Sequence, residues 1–207
     1  MRSCGSVGLV SLYKSNGIDQ DNRADKNKNS WNPSLQLAVE YGFANGFYVG
    51  NWNGTGKFGD NSGASVEVDL YAGYRGQITP DVGYVVSVTR FLYPSDGANG
   101  WNANELAGAV SYGPFTFKLT NLFVKGETDA RRFSVAYTHD LAEGLKLNAV
   151  LGKRNKANND GATDFGLGLA YDLGDAWTAT GMVSGAQKSK VGDAGKTRLV
   201  VGVSKGF

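Results

Sequence analysis

Apolar and polar residues alternate with a period of two along most of this chain. In 65–78, Val66, Val68, Leu70, Ala72, Tyr74 and Ile78 alternate with Glu67, Asp69, Tyr71, Gly73, Arg75 and Gln77. Leu35, Leu37, Val39, Tyr41 and Phe43 alternate with Gln36, Ala38, Glu40 and Gly42, and Phe165, Leu167, Leu169, Tyr171 and Leu173 with Asp164, Gly166, Gly168, Ala170 and Asp172. That period places successive side chains on opposite faces of a strand, one apolar and one polar. Runs of this kind bounded by turn residues predict twelve strands, near 6–16, 33–43, 47–54, 65–78, 82–93, 103–113, 115–124, 130–141, 145–154, 163–173, 176–187 and 197–207. The run 82–93 is interrupted, because Arg90 shares parity with Val86 and Val88.

The connections sort into two kinds. Every second one is tight: Ala44-Asn45-Gly46, Thr79-Pro80-Asp81, Gly113-Pro114, Ala142-Glu143-Gly144 and Gly174-Asp175. Those between are mostly long and polar, at 17–32, 54–64, 94–102, 155–162 and 188–196, with Lys125-Gly126-Glu127-Thr128 the short exception. Short turns alternating with long loops, with an even strand count, predict a closed antiparallel transmembrane β-barrel with short periplasmic turns and longer extracellular loops. The last segment, Arg198 to Phe207, alternates to its end, and a terminal aromatic on the lipid face suits the headgroup level. Such a strand must pair with the first, since an open edge in lipid leaves backbone groups unsatisfied. It is also where barrel-assembly machinery would engage the chain.

Composition narrows the alternatives. The 207 residues suit one domain, expected to span 6–207. Near-balanced charge, 21 Lys+Arg against 19 Asp+Glu, disfavours a nucleic-acid partner. No stretch of about 18 residues is free of charge, so no transmembrane helix is predicted; a mean hydropathy of -0.29 is compatible with a barrel, where the two faces average out. Cys4 is the single cysteine, which excludes an internal disulfide and a multi-cysteine metal site. Residues 1–5 read as a remnant ahead of the barrel on a chain whose signal peptide is gone, with a lipoprotein cysteine as the alternative. Aromatics fall near the strand ends, as two interfacial girdles require. Tyr41, Phe43, Phe47, Tyr74, Tyr84, Tyr112, Phe115, Phe117, Tyr137, Tyr171, Trp177 and Phe207 lie by the tight turns, and Trp31, Trp52, Phe91, Tyr93, Trp101, Phe123 and Phe165 by the long loops.

Several runs carry a family likeness. They are Val10-Ser11-Leu12-Tyr13-Lys14-Ser15-Asn16-Gly17-Ile18, Pro33-x-x-Gln36 leading to Gly46-Phe47-Tyr48-Val49-Gly50-Asn51-Trp52, Glu67-Val68-Asp69-Leu70-Tyr71-Ala72-Gly73-Tyr74, Asp81-Val82-Gly83-Tyr84 and Asn104-Glu105-Leu106-Ala107-Gly108. With these motifs the chain resembles the proteobacterial TorF-type porin family, small outer-membrane β-barrel proteins. The motifs cover about the first 120 residues, and Lys14 stands where the family more often has Arg. The resemblance implies a barrel in the bacterial outer membrane, in contact with its lipid and lipopolysaccharide.

Little in the sequence supports catalysis. The only histidine, His139, lies in Tyr137-Thr138-His139-Asp140 at the turn end on the lipid-facing parity, and no His-x-Ser pair offers a nucleophile and base. Asp19-Gln20-Asp21-Asn22 and Asn158-Asn159-Asp160-Gly161 lack a full calcium-loop signature and read as solvated loops. No metal, cofactor or enzymatic activity is expected. Parity instead turns Glu40, Glu67, Asp69, Glu105, Asp164 and Asp172 inward, with Arg75, Lys118, Arg132, Lys146, Arg154 and Arg198, as a candidate pore lining. Glu67, Asp69 and Glu105 fall in the outer half on one side, and Arg132, Arg154 and Arg198 on the other. Two readings follow. Facing walls would set a transverse field in a channel for small solutes or ions; a salt-bridge network would plug a structural or adhesive barrel acting through its loops. Loop cations (Arg23, Lys26, Lys28; Arg154, Lys156; Lys188, Lys190, Lys196) would bind lipopolysaccharide phosphates or concentrate anions at the entrance.

Overall fold

A computed structural model describes residues 2–21, 31–58, 63–94, 101–124, 130–156 and 161–207. The chain order is β1 (Arg2–Val10), β2 (Lys14–Ser15), β3 (Ile18–Asp19), β4 (Ser34–Gly42), β5 (Phe47–Phe58), β6 (Ala64–Thr79) and β7 (Val82–Leu92). It continues with β8 (Ala103–Tyr112), β9 (Phe115–Val124), β10 (Ala130–Ala142), β11 (Leu145–Lys156), β12 (Thr163–Gly174), β13 (Trp177–Ala186) and β14 (Arg198–Gly206). A four-residue helix, α1 (Lys188–Val191), and a 3-10 turn (Gly192–Gly195) lie in the last loop.

Twelve of these strands form one closed antiparallel barrel. From β4 to β14 each strand pairs with its neighbour in the chain, and β1 closes the ring between β4 and β14. The tight connections all lie at one end, which we call the turn end. Four of the five use left-handed backbone, supplied by Gly46, Gly113 and Gly144 and, between β12 and β13, by Gly174, Asp175 and Ala176. The opposite loop end carries the longer connections.

Alternation in sequence becomes alternation across the wall. Leu35, Leu37, Val39 and Tyr41 on β4 are between 37% and 51% exposed, while Ser34 beside them is 1% exposed. On β12, Phe165, Leu167 and Leu169 are exposed and Asp164, Gly166 and Gly168 buried. The apolar surface therefore faces outward, the inverse of a water-soluble fold and the pattern of a membrane barrel.

Two expectations are corrected here. Strand β1 begins at Arg2, and Ser3, Cys4 and Gly5 pair with Tyr41, Glu40 and Val39, so these residues belong to the barrel wall and do not lie ahead of it. The same strand ends at Val10, not at residue 16. Ser11 still touches β14, its N–H donating to the Val201 carbonyl at 2.8 Å. Beyond it the chain turns into the barrel, where Leu12 is fully buried. β2 and β3 then form a small hairpin around Asn16 and Gly17, both with positive φ (49° and 73°), as a two-residue Asn-Gly turn requires. At its tip Gly17 lies against the Gly185 backbone of β13, where a Cβ would collide with the Gly185 carbonyl.

Candidate channel interior

The inward hairpin organises the loop-end half of the lumen. Asp19 is its anchor: one carboxylate oxygen accepts from Lys14 Nζ at 2.5 Å and the other from Arg198 Nε at 2.7 Å. Lys14 also donates to the Lys196 carbonyl at 3.0 Å. All three side chains are at most 7% exposed. Burial pushes the Lys14 ammonium below its ordinary pKa, and the Asp19 carboxylate opposes that shift. Asp21, also buried, accepts from the Lys57 N–H at 3.1 Å at the end of β5. Asp19 and Asp21 are thus structural partners inside the barrel, not solvated loop acids. Asn158, Asn159 and Asp160, with Arg23, Lys26 and Lys28, lie outside the described residues.

On its other side the hairpin leans on aromatic rings. Tyr13 packs 5.2 Å from Trp52 and 6.3 Å from Phe58, Phe58 lies 5.2 Å from Tyr93, and Tyr93 5.9 Å from Trp101. The Tyr93 hydroxyl donates to Glu67 Oε1 at 3.0 Å. Burial first, then the Glu67 charge, raises the Tyr13 and Tyr93 phenols above their ordinary range, so both remain protonated donors. Trp52, Phe91 and Tyr93 therefore serve the interior and not an outer girdle. Strand parity already assigns them inward; nearness to a loop was the misleading signal.

Every member of the predicted pore lining has the inward parity, but their surroundings differ. Arg132 forks onto Asp164, with Nε and Nη2 donating at 2.9 and 2.6 Å. Arg132 and Arg154, with Glu67 and Glu105, border a cavity of about 370 Å³ between the hairpin and strands β6–β11. Among the described residues Arg154 forms no side-chain hydrogen bond or ion pair, so its guanidinium remains available. Arg198 does not face the acidic side, because Asp19 stands between. The expected facing walls reduce to Glu67 and Glu105 against Arg154, with Arg132 already neutralised by Asp164.

The turn-end half is open. Lys118, Asp140, Lys146 and Asp172 are inward yet exposed. Lys146 and Asp140 approach at 3.5 Å with side chains 57% and 73% exposed. Arg75 pairs with Glu40 and lies over the Tyr48 ring at 4.0 Å. Asp172 accepts from the Gly174 N–H at 2.8 Å, so it also shapes the turn. Sequence reasoning missed Tyr13, Lys14, Asp19 and Asp140 as interior groups. His139 faces outward, stacked 6.0 Å from Tyr137 and remote from the lumen.

A profile of the family described as "Bacterial protein of unknown function (Gcw_chp)" matches residues 2–207. The chain belongs to this family. No curated protein matches the chain. Among solved structures the barrel is similar to the KdgM porin, with a TM-score of 0.64 at 12% identity, covering 100% of this chain and 99% of that one. It is similar to the KdgM porin in complex with disordered oligogalacturonate, with a TM-score of 0.61 at 12% identity and the same coverage. The NanC porin gives a TM-score of 0.61 at 10% identity, covering 99% and 98% of the two chains. At these identities the likeness is one of fold: a twelve-stranded porin barrel.

Proposed function

We propose that the protein is a porin-like channel of the bacterial outer membrane, passing small hydrophilic solutes or ions, and that it is not an enzyme. The motif resemblance to TorF-type porins and the porin fold support this reading. One observation carries it: the inward face bears charges of both signs, exposed at the turn end and bordering a cavity of about 370 Å³ at the loop end. A barrel built only as a scaffold has no need of an unpaired Arg154 and a Glu105 bordering a cavity of about 370 Å³. Oligogalacturonate, held by one structural neighbour, does not transfer to this chain, because inward carboxylates accompany the inward cations and a polyanion would meet both.

The inward hairpin favours a second reading, a plugged barrel acting through its loops. Planar-bilayer recording separates the two. Wild type should give steady open steps, and replacing residues 13–20 with a Gly-Ser linker should enlarge them. Arg154→Gln should shift the reversal potential in a salt gradient toward cations, and Glu105→Gln toward anions. Silence from both folded wild type and the linker variant would overturn the channel reading.

A further inference from the structure

The outward face holds a feature that the channel reading does not use. Among the described strand residues, every charged side chain with outward parity is cationic: Lys57, Arg90, Arg131 and Lys153 near the loop end, and Lys205 near the turn end. No Asp or Glu of the described strands shares that face. A cation on the lipid side of a barrel is tolerated near the interface and is costly at the midplane, so the position of these residues at the strand ends follows. Their one-sided sign does not follow from tolerance alone, since acids are tolerated there as well.

Arg90 and Arg131 are also held in place. Arg90 Nη1 donates to Asn104 Oδ1 at 3.2 Å from the adjacent strand β8. Arg131 Nε donates to Asn121 Oδ1 at 3.0 Å from the adjacent strand β9. Each guanidinium has five N–H donors, so each keeps most of them for an outside acceptor. Lys153 on β11 sits opposite Phe133, two residues from Arg131 on the same face. The result is a cationic arc across five neighbouring strands, β7 to β11.

Below the arc the outward wall is hollowed. A depression of about 500 Å³ opens directly beneath Arg90 and Asn104, lined by Leu70, Ala72, Val88, Leu106 and Phe123. A second, of about 420 Å³, continues toward the turn end between Tyr84, Val86, Phe117 and Leu119, with Gly108 as its floor. A Cβ at Gly108 would meet nothing within 4 Å. Along β7 the groove runs from Arg90 to Tyr84, roughly 20 Å at strand spacing. One leaflet of a ~30 Å hydrocarbon core is about 15 Å. With strands tilted by about 35–45° a groove of that length spans about one leaflet, and with fixed cations at one end it is complementary in shape and charge to an acyl chain under an anionic head.

We propose that strands β6–β10 form a binding site for an acylated lipid with a net-anionic phosphate headgroup, the phosphate on Arg90 and Arg131 and a chain in the groove over Gly108. The site rests on the reading of the protein as a membrane barrel. Its test is native mass spectrometry of the folded, detergent-purified barrel, titrated with phosphatidylglycerol or with phosphatidylcholine of the same chains. The wild type should retain the anionic lipid about tenfold better, the scale of one to two charge-assisted hydrogen bonds. The double variant Arg90→Ala, Arg131→Ala should lose that preference, and Lys205→Ala, at the turn end, should keep it. Gly108→Leu, which fills the groove without touching the arc, should weaken both lipids. Equal retention of the two lipids by a folded wild type, or a double variant that keeps the preference, would overturn the site and leave the channel reading intact. A chain that folds into no detergent or bilayer would defeat both.

Discussion

The two halves of the barrel interior use the same strands and opposite solutions. At the loop end, Ser34, Glu67, Thr120, Arg132, Ser134, Asp164, Ser184 and Arg198 are all buried, and most of the charges are paired. At the turn end the same inward face leaves Lys118, Asp140, Lys146 and Asp172 exposed. Strand number and alternation cannot produce this contrast, since both ends share them. The chain between Val10 and Asp21 produces it, by folding inward on one side only. Polar residues along a barrel wall therefore do not by themselves distinguish pore from plug; what decides is whether another segment arrives to desolvate them.

The sharpest way to break the contrast is to remove one carboxylate from each half. Asp19→Ala removes the carboxylate that two buried cations, Lys14 and Arg198, share, a loss that destabilises by about 3–5 kcal/mol. Glu40→Ala removes the partner of Arg75, whose side chain is 51% exposed, and should cost less than about 1 kcal/mol. Unfolding temperature, followed by heat-modifiable gel migration, compares the two directly. Equal losses would erase the distinction between the halves.

A smaller effect sharpens it within the packed half. Arg132 reaches Asp164 by crossing over Gly152 on the intervening strand, and a Cβ there would collide with the guanidinium. Gly152→Ala should therefore cost about 1.5–3 kcal/mol, the scale of hydrogen bonds to charged groups. Combined with Asp164→Asn it should add little, because both changes break one interaction. Full additivity would mean that the fork contributes nothing through Gly152.

The smallest effect lies at the outer edge of the hairpin's anchorage. Hydrogen bonds from Lys188 at 2.8 Å and Lys196 at 2.7 Å hold the Asp193 carboxyl down to about 2. A depressed pKa stabilises the folded state above the ordinary carboxylate value, and the contribution is lost as pH falls through about 2. Protease nicking of the 188–196 loop should rise between pH 4 and pH 2 in wild type. In Asp193→Asn it should be high and flat throughout. A flat wild-type profile would show that the clamp does not order the loop.

Much of this was legible in the sequence, and the failures share a cause. Eleven of the twelve expected strands lie within a few residues of their observed bounds, because period-two alternation reports a wall with two unlike sides, and this wall has them. The first strand failed at Val10. Outward residues on β1 are odd-numbered, Val7 and Leu9, so the outward slot at 11 holds Ser and the inward slot at 12 holds Leu. That phase slip, followed by Asn16-Gly17, was the available sign of an inward hairpin. Ion-pair partners were not legible, since Asp19 and Arg198 are remote in sequence and meet only after the barrel closes. The acidic and basic sets were assigned to the correct face, while their pairing depended on a segment read as loop.

The seam between β1 and β14 has a consequence for the order of assembly. All barrel junctions from β4 to β14 join consecutive segments, closing short lengths of chain. The seam joins residues nearly a full chain apart, from Ser6 opposite Gly206 to Val10 opposite Gly202. Loop-closure entropy grows with the length closed, so hairpin pairing can proceed from either direction before this junction is made. Ser11 extends the seam by exchanging hydrogen bonds with Val201 through its backbone N–H and its hydroxyl, and it is also where the chain turns inward. One residue thus serves both the closing of the cylinder and the partition of its lumen: Ser11 ends the longest-range seam and starts the inward turn.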